Sequence, residues 1–302
     1  MNLDSALTQL ANDELGLIAL PLFLLAIVAE TLISRFKQLD LYAPKDFLVS
    51  ISMLLISAAV DFLPKALAFI VFYQLHEISP LRDIVGRQWW AWVSLFFLDD
   101  FVYYWFHRAN HEIRFFWAGH VSHHSSVKLN FGTALRQGVG ERSHKYLFWL
   151  ALPLLGFDAL MIFVMISINL LYQFWVHTEL IDKLNIRLEF VFNTPSHHRV
   201  HHACNIRYLD CNHGGVLIIW DRLFGTFSAE CDAEPVVYGL TKNIETLNPI
   251  KVAFGEYANL FRDMWRAPRW LDKWRYLALA PGWSHDGEDK RARVLRVNNS
   301  RD

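Results

Sequence analysis

Residues 88–124 have the sequence QWWAWVSLFFLDDFVYYWFHRANHEIRFFWAGHVSHH, an apolar run that ends in two histidine motifs. The run 88–106 is long enough to cross a bilayer as a helix, and it opens with three tryptophans, as an interfacial aromatic belt does. The histidines begin where the apolar run stops. This stretch therefore predicts a membrane helix with a polar site at one end.

Three further apolar runs occur along the chain. Residues 15–34 and 47–73 are each long enough to cross a membrane, and residues 146–177 are broken by Pro153 and Gly156. The break predicts a hairpin of two helices, 146–155 and 158–177. We therefore expect an all-α fold in one polytopic integral membrane domain, 1–302, with about four spans: 15–34, 47–73, 88–106 and 146–177.

The positive charges predict how the chain is oriented. No Lys or Arg precedes Arg35, which follows the first span together with Lys37 and Lys45, so that loop is expected in the cytoplasm. The histidines then fall on the same side, in a helical cap of residues 107–145 and 178–249. We expect a multi-pass protein of a bacterial inner membrane or the endoplasmic reticulum, with its active site on the cytoplasmic side.

A tail of residues 250–302 follows the cap. Phe254, Tyr257, Phe261 and Trp265 recur in it every three or four residues. This spacing predicts an amphipathic helix over residues 250–265. The pattern suits a helix at the membrane interface and a helix packed against the cap equally well.

The composition excludes several classes of protein. Hydrophobic residues make up 53% of the chain and charged residues 20%, which is too apolar for a disordered protein. Three cysteines without a C-x-x-C pair argue against a disulfide scaffold and against a thiolate zinc site. The net charge of −1 gives no electrostatic reason to bind nucleic acid, and we expect no such partner.

The 14 histidines are unevenly distributed. Most lie in three motifs, H-x-x-x-H at 107–111 and H-x-x-H-H at 120–124 and 198–202. Residues three and four apart share a helix face, so each motif points its imidazoles to one place, and neutral imidazole binds iron, zinc, copper and nickel. A further candidate, His177, lies where the hairpin returns to the cap. We expect two metal ions with four or five ligands each, from His107, His111, His120, His123, His124, His177, His198, His201 and His202.

Acidic neighbours can support such ligands. A metal-binding histidine usually donates its second N–H to a carboxylate or a carbonyl oxygen. Asp100 lies seven residues before His107, on the same helix face, and we expect it to take this role. Whether His197 or His213 also binds metal is open. Histidines that merely reach toward the membrane surface would be scattered rather than gathered in motifs.

The motifs and their surroundings resemble the fatty acid hydroxylase/sterol desaturase superfamily of membrane di-iron enzymes. The resemblance extends from about residue 15 to residue 254. It implies that the histidines of the three motifs bind the metals, and that Glu112, which follows the first motif, is a catalytic candidate. His213 departs from the tyrosine that is usual in the family. The stretches that carry the resemblance are DFVYYWFHR (100–108), WAGHVSHHSS (117–126), TALRQ (133–137), LYQFWVHTE (171–179), NTPSHHRVHH (193–202) and GVLIIWDRLFGTF (215–227).

The resemblance implies an oxidoreductase that uses O2 to hydroxylate a C–H bond of a lipid, such as an alkylglycerol, a fatty acyl chain or a sterol-like molecule. It also implies two iron ions, which zinc can replace in recombinant protein, and a reduced electron donor: tetrahydrobiopterin, or a cytochrome b5 or ferredoxin-type partner. Three alternatives stay open. A desaturase would use the same di-iron site, a zinc hydrolase needs only about three protein ligands, and a metal transporter would place its ligands at mid-membrane.

Overall fold

The computed structural model describes residues 14–299, with side chains from residue 19 on, so residues 1–13 and 300–302 of the expected domain lie outside it. The described chain is all-helical, as predicted, and contains isolated bridges but no β-strand. Its helices are α1 (Glu14–Phe36), α2 (Pro44–Glu77), α3 (Arg82–Val85), α4 (Trp89–Glu112), α5 (Arg114–His124), α6 (Phe131–Ala134), α7 (Arg142–Lys145), α8 (Ala151–Leu154), α9 (Ala159–Trp175), α10 (Ile186–Val191), α11 (Pro195–His201), a 3-10 turn (Ile206–Tyr208), α12 (Ile219–Phe224), α13 (Pro249–Arg266), α14 (Trp270–Ala278) and α15 (Ala292–Asn299).

Within residues 14–299, two helices are long and apolar enough to cross a membrane. They are α1, over Ala19–Phe36, and the whole of α2. Pro44 begins α2, at a position where its missing N–H breaks no helical bond. α9 is also apolar but has only 17 residues. α4 continues past the predicted end at 106 and carries the first histidine motif in the same helix.

The first arm of the predicted hairpin is not a continuous helix. Within 146–155 only the single-turn helix α8 forms, whereas the second arm forms α9. Pro153 has no N–H with which to continue a helix, and Gly156 has a φ of 94°, in the left-handed region that favours glycine. Trp149 and Leu152 of this arm are nevertheless fully packed in the core. Burial of the arm therefore does not require regular helical structure.

The largest apolar core joins α2, α4 and α9. Phe69 and Phe72 of α2 pack edge-on against Phe163 of α9, with ring centroids 5.4 and 5.7 Å apart. Phe106 of α4 packs edge-on against Trp149 at 5.6 Å. Each such buried side chain contributes about 1.5–3 kcal/mol of transfer free energy. This core fixes α4, and with it the first histidine motif, relative to α9.

Asp100 of α4 is fully buried and holds the turn that follows the third motif. Its carboxylate accepts hydrogen bonds from the backbone N–H groups of Val216 (2.7 Å) and Leu217 (3.0 Å), and from the indole of Trp220 (2.9 Å). Among the described residues, its partners include none of the nine histidines. The carboxylate that we expected to support a ligand therefore joins α4 to the 215–217 turn instead.

Helix α13 confirms the helix predicted over 250–265. It packs against α5 through a buried arginine, because Arg114 donates to Glu256 (2.9 Å) and Asp263 (2.7 Å). Its opposite face is open, since Trp265 is 86% exposed and Phe261 is half-exposed. The helix thus packs on the cap, as one of the two alternatives predicts, and it also presents an aromatic face outward.

Candidate metal centre

The structure brings all nine predicted ligands together in two adjacent groups of buried imidazoles. Within each group, one ring nitrogen of every residue lies within 4.8 Å of the others. The groups touch, because the rings of His124 and His202 stack with centroids 4.5 Å apart. Group A consists of His107, His111, His120, His124 and His201, and group B of His123, His177, His198 and His202.

Helix geometry divides the motifs between the groups. His120 and His124 lie one turn apart on α5 and face group A, whereas His123 faces group B. In the third motif His198 and His202 face group B and His201 faces group A. Each H-x-x-H-H motif therefore bridges the two groups, and its adjacent histidines point to different sites.

Backbone carbonyl groups orient four of the nine rings. A carbonyl oxygen only accepts, so the Nδ1 that it contacts carries the proton, and in a neutral ring Nε2 then presents a lone pair. In each of these rings Nδ1 donates a hydrogen bond of 2.7–2.9 Å to a backbone carbonyl oxygen. The bonds run from His107 to the carbonyl of His213, from His123 to that of Arg136, from His177 to that of Gln173, and from His201 to that of Cys211.

Burial keeps the rings neutral. The pKa values of seven histidines lie well below the ordinary value for histidine. Burial of the rings is the largest cause, and the neighbouring imidazoles are the next largest. At neutral pH these rings therefore have free lone pairs. The seven are His107, His111, His123, His124, His198, His201 and His202.

In group B, nitrogen lone pairs face one another. Nε2 of His177 lies 3.4 Å from Nε2 of His123 and 2.9 Å from Nε2 of His198. Carbonyl groups hold the protons of His123 and His177 on Nδ1, so no proton separates their Nε2 atoms when both rings are neutral. Nitrogen ligands about 2.0–2.1 Å from one ion lie ~2.9–3.4 Å apart at ordinary coordination angles. The donor set of group B therefore fits a metal ion.

Group A has the same character. Nε2 of His120 lies 3.2 Å from Nε2 of His107 and 3.2 Å from Nε2 of His124. Nε2 of His111 and Nε2 of His201 are buried and have no hydrogen-bond partner in the part of the chain that the structure describes. A buried nitrogen without a partner costs free energy, which a metal ion bound by the group would recover. Five imidazoles around one point suit a transition metal.

Two carboxylates approach group A from outside. Glu141 Oε1 lies 3.2 Å from Nδ1 of His120, and Asp210 Oδ1 lies 3.3 Å from Nδ1 of His111. Burial raises the pKa of Glu141, but His120 and Lys145 outweigh it, so the net pKa is lowered and the carboxylate is ionised. No sequence pattern indicates Glu141, because it lies outside every motif and outside any periodic run.

Glu112 lies away from both groups. Its side chain is 47% exposed and pairs with Arg108 over 2.8 Å, one turn earlier on α4. In this structure the Glu112 side chain therefore makes no contact with the two histidine groups that would support the expected catalytic role. Glu141, rather than Glu112, is the glutamate next to the ring nitrogens.

The two undecided histidines have different surroundings. Nε2 of His197 lies 2.9 Å from Glu189, and its Nδ1 lies 3.4 Å from Thr194, so both nitrogens have partners outside the groups. His213 is fully buried beside group A, with its ring centroid 5.1 Å from that of His111. It lies outside the group itself, and its backbone carbonyl orients His107.

Two cavities reach the centre from different parts of the fold. An inner cavity of about 370 Å³ is lined by His120, His123 and His177 together with residues of the apolar helices α1, α2 and α9. A cap cavity of about 500 Å³ is lined by three group A histidines, by α13 and by the tail. Group B is thus reached only by the first of these two cavities, and group A by both.

We expect Glu141→Gln to weaken metal binding about 10- to 100-fold, because a carboxylate beside a ligating histidine raises its basicity and fixes its ring. The measurement is a competition titration with a chelator, using Co²⁺ or Fe²⁺ without O2. Glu288→Gln is the control, since Glu288 is largely exposed and lies 3.8 Å from Lys290. Equal affinities of Glu141→Gln and wild type would refute this role.

Comparisons with known proteins agree with the histidine pattern. The fatty acid hydroxylase family model matches residues 92–226. Alkylglycerol monooxygenase from Homo sapiens is 42% identical over 238 residues, which cover 79% of this chain and 53% of the relative. The enzyme of the same name from Danio rerio is 39% identical, with the same coverage. An ornithine lipid hydroxylase from Rhizobium tropici is 31% identical over 140 residues, 43% of this chain and 39% of that protein. The chain spans about half the length of the alkylglycerol monooxygenases, and no solved structure matches it.

Proposed function

We propose, because residues 92–226 match the fatty acid hydroxylase family model, that this chain is a membrane-bound di-iron monooxygenase that hydroxylates a lipid. The observation that carries the proposal is the pair of buried imidazole groups, in which lone pairs of neutral rings face one another. Five nitrogens of group A and four of group B would hold one iron ion each. The relatives named alkylglycerol monooxygenase make an ether lipid the first substrate to test.

Bound iron supplies the reduction of O2 and the insertion of one oxygen atom into a C–H bond. The net reaction converts a C–H group, O2, two electrons and two protons into a C–OH group and water. The protein's own part is to hold the rings and to keep water out. Carbonyl oxygens of Arg136 and Gln173 orient His123 and His177, and Glu141 lies against His120.

The inner cavity gives the substrate its place. Its walls near the histidines include Tyr103 and Phe106 of α4 and Phe174 of α9. Tyr103 donates to Gln173 Oε1 over 2.6 Å, which ties α4 to the segment that carries His177. An alkyl chain in this cavity would lie beside both groups of nitrogens and displace water from them, which favours oxidation of the lipid over unproductive reduction of O2.

We further propose that the protein is multi-pass and that the centre lies on the cytoplasmic side. The two membrane-crossing candidates α1 and α2 support a membrane location. The positive charges after α1 support the orientation. The electron donor is then a cytoplasmic one, tetrahydrobiopterin or a cytochrome b5 or ferredoxin-type protein.

The test is turnover by the detergent-purified protein after anaerobic loading with Fe²⁺. We expect an alkylglycerol and reduced pterin to drive O2 consumption, with one atom of labelled O2 in the oxidised lipid. Loss of two hydrogens without incorporated oxygen would identify a desaturase instead. If alkylglycerol, fatty acyl and sterol substrates all fail to drive O2 consumption with either class of donor, the oxygenase proposal is wrong.

A further inference from the structure

An apolar groove of about 680 Å³ runs along the outer face of α1. Its α1 wall is a ridge of Leu20, Leu24, Val28 and Leu32, which are four residues apart and therefore lie on one face. About half of each of these side chains is exposed. The opposite wall comes mainly from the first turns of α2. Because α1 and α2 are the two membrane-crossing candidates, the groove would face lipid chains in a membrane.

The groove adjoins the inner cavity beside the histidines. Leu20, Phe23, Leu54 and Leu135 line both spaces. Phe23 stacks on Phe174 of α9, with ring centroids 3.8 Å apart. The junction between the groove and the inner cavity, here called the passage, therefore lies against α9, the helix that leads to His177. An apolar chain that lies in the groove is thus next to the cavity that reaches the metal centre, whose walls also carry polar groups such as Gln137, Glu141 and Lys145.

The length and ends of the groove suit a long chain. From Leu20 to Arg35 the α1 wall extends ~22 Å, from a rise of 1.5 Å per residue, which is roughly the length of an extended chain of eighteen carbons. The polar side chains of the groove, Thr31, Ser34, Arg35 and Tyr42, lie toward one end of it. The walls between that end and the passage are almost entirely apolar.

We propose that the alkyl chain of the lipid substrate lies in this groove and enters the inner cavity through the passage bounded by Leu20, Phe23, Leu54 and Leu135. The inference rests on the proposed function and deepens it. It specifies a lipid with a long, flexible, unbranched chain, because the chain must pass from the outer face of α1 into the interior between four side chains. A rigid fused-ring lipid suits this route less well.

A matched pair of variants tests the groove. Leu24 lines the groove but not the inner cavity, whereas its neighbour Leu25 lines neither and is 66% exposed. We expect Leu24→Trp to lower kcat/KM for an octadecyl substrate about tenfold or more, because an added indole overfills the groove. Turnover of the octyl homologue, which fits within the inner cavity, is retained. Leu25→Trp changes neither.

Photolabelling gives a readout that needs no turnover. An octadecyl lipid with a diazirine at the middle of its chain is irradiated with the detergent-purified protein, and the labelled peptides are mapped. We expect labels within residues 20–35 and 47–54, displaced by excess unlabelled lipid and reduced in Leu24→Trp.

Identical behaviour of Leu24→Trp and Leu25→Trp on both substrates, or labels spread evenly around α1, would overturn the proposal. So would groove labels that excess substrate does not displace, since these would indicate ordinary membrane lipid. A wild-type protein that oxidises no lipid would contradict the proposed function instead, and the labelling result would still decide whether the groove binds a chain.

Discussion

Replacing His123 by alanine abolishes lipid oxidation while the protein still accumulates in membranes. Nε2 of His123 lies 3.4 Å from Nε2 of His177, and the Arg136 carbonyl holds the ring in place. Removing this imidazole leaves group B with three nitrogens, too few to hold an iron ion firmly at a site built for four. We expect no detectable turnover and about one iron ion per chain, measured by oxygen uptake and by metal analysis of the same sample.

The matched control is His197→Gln. His197 is also a buried histidine, but its Nε2 lies 2.9 Å from Glu189, and the amide of glutamine keeps a donor for that carboxylate. It should retain two iron ions and near wild-type turnover. Turnover retained in His123→Ala, or lost equally in both variants, would refute the assignment of His123 as a ligand.

Replacing Asp100 by alanine destabilises the fold strongly. Its carboxylate is the acceptor for the N–H groups of Val216 and Leu217 and for the Trp220 indole. Alanine leaves these three donors without an acceptor, and a buried donor without a partner costs ~1–3 kcal/mol. We expect the free energy of unfolding in detergent to fall by about 3 kcal/mol or more, measured by denaturant titration.

Two further variants keep this prediction testable if Asp100→Ala does not fold. Asp100→Asn retains one acceptor oxygen and should be less stable than wild type but more stable than the alanine variant. Asp83→Ala removes an exposed carboxylate whose nearest charge, Arg82, lies 3.7 Å away, and it should change little. A wild-type unfolding free energy in Asp100→Asn would show that the turn does not depend on this carboxylate.

Local spacing explains why the histidine clusters were predictable. Residues three and four apart share a helix face whatever the tertiary fold, so H-x-x-x-H and H-x-x-H-H gather imidazoles wherever they form helices. His177 could be added because an apolar run of known length returns the chain to the same level. The assignment of adjacent histidines, such as His123 and His124, to different groups required the structure, because it depends on how α5 packs.

Contacts between distant segments were not predictable. Glu141 approaches His120 from a turn that no pattern marks, and only the packing of this turn against Gly119 of α5 places it there. Asp100 shares a helix face with His107, but its carboxylate accepts hydrogen bonds from the 215–217 turn instead. The arm 146–155 looked helical because it is apolar. Pro153 and Gly156 interrupt the helix, and the arm is packed in the core all the same.

The most direct test of the two-metal centre is the iron content of the purified chain after metal removal and anaerobic loading with Fe²⁺. Metal found on isolation is a weaker guide, since zinc outcompetes Fe²⁺ at nitrogen ligands. We predict two iron ions per chain, nitrogen ligation by X-ray absorption, and O2 consumption that requires both iron and lipid. Tight binding of zinc that Fe²⁺ cannot replace, with no O2 consumption on any lipid, would contradict the account.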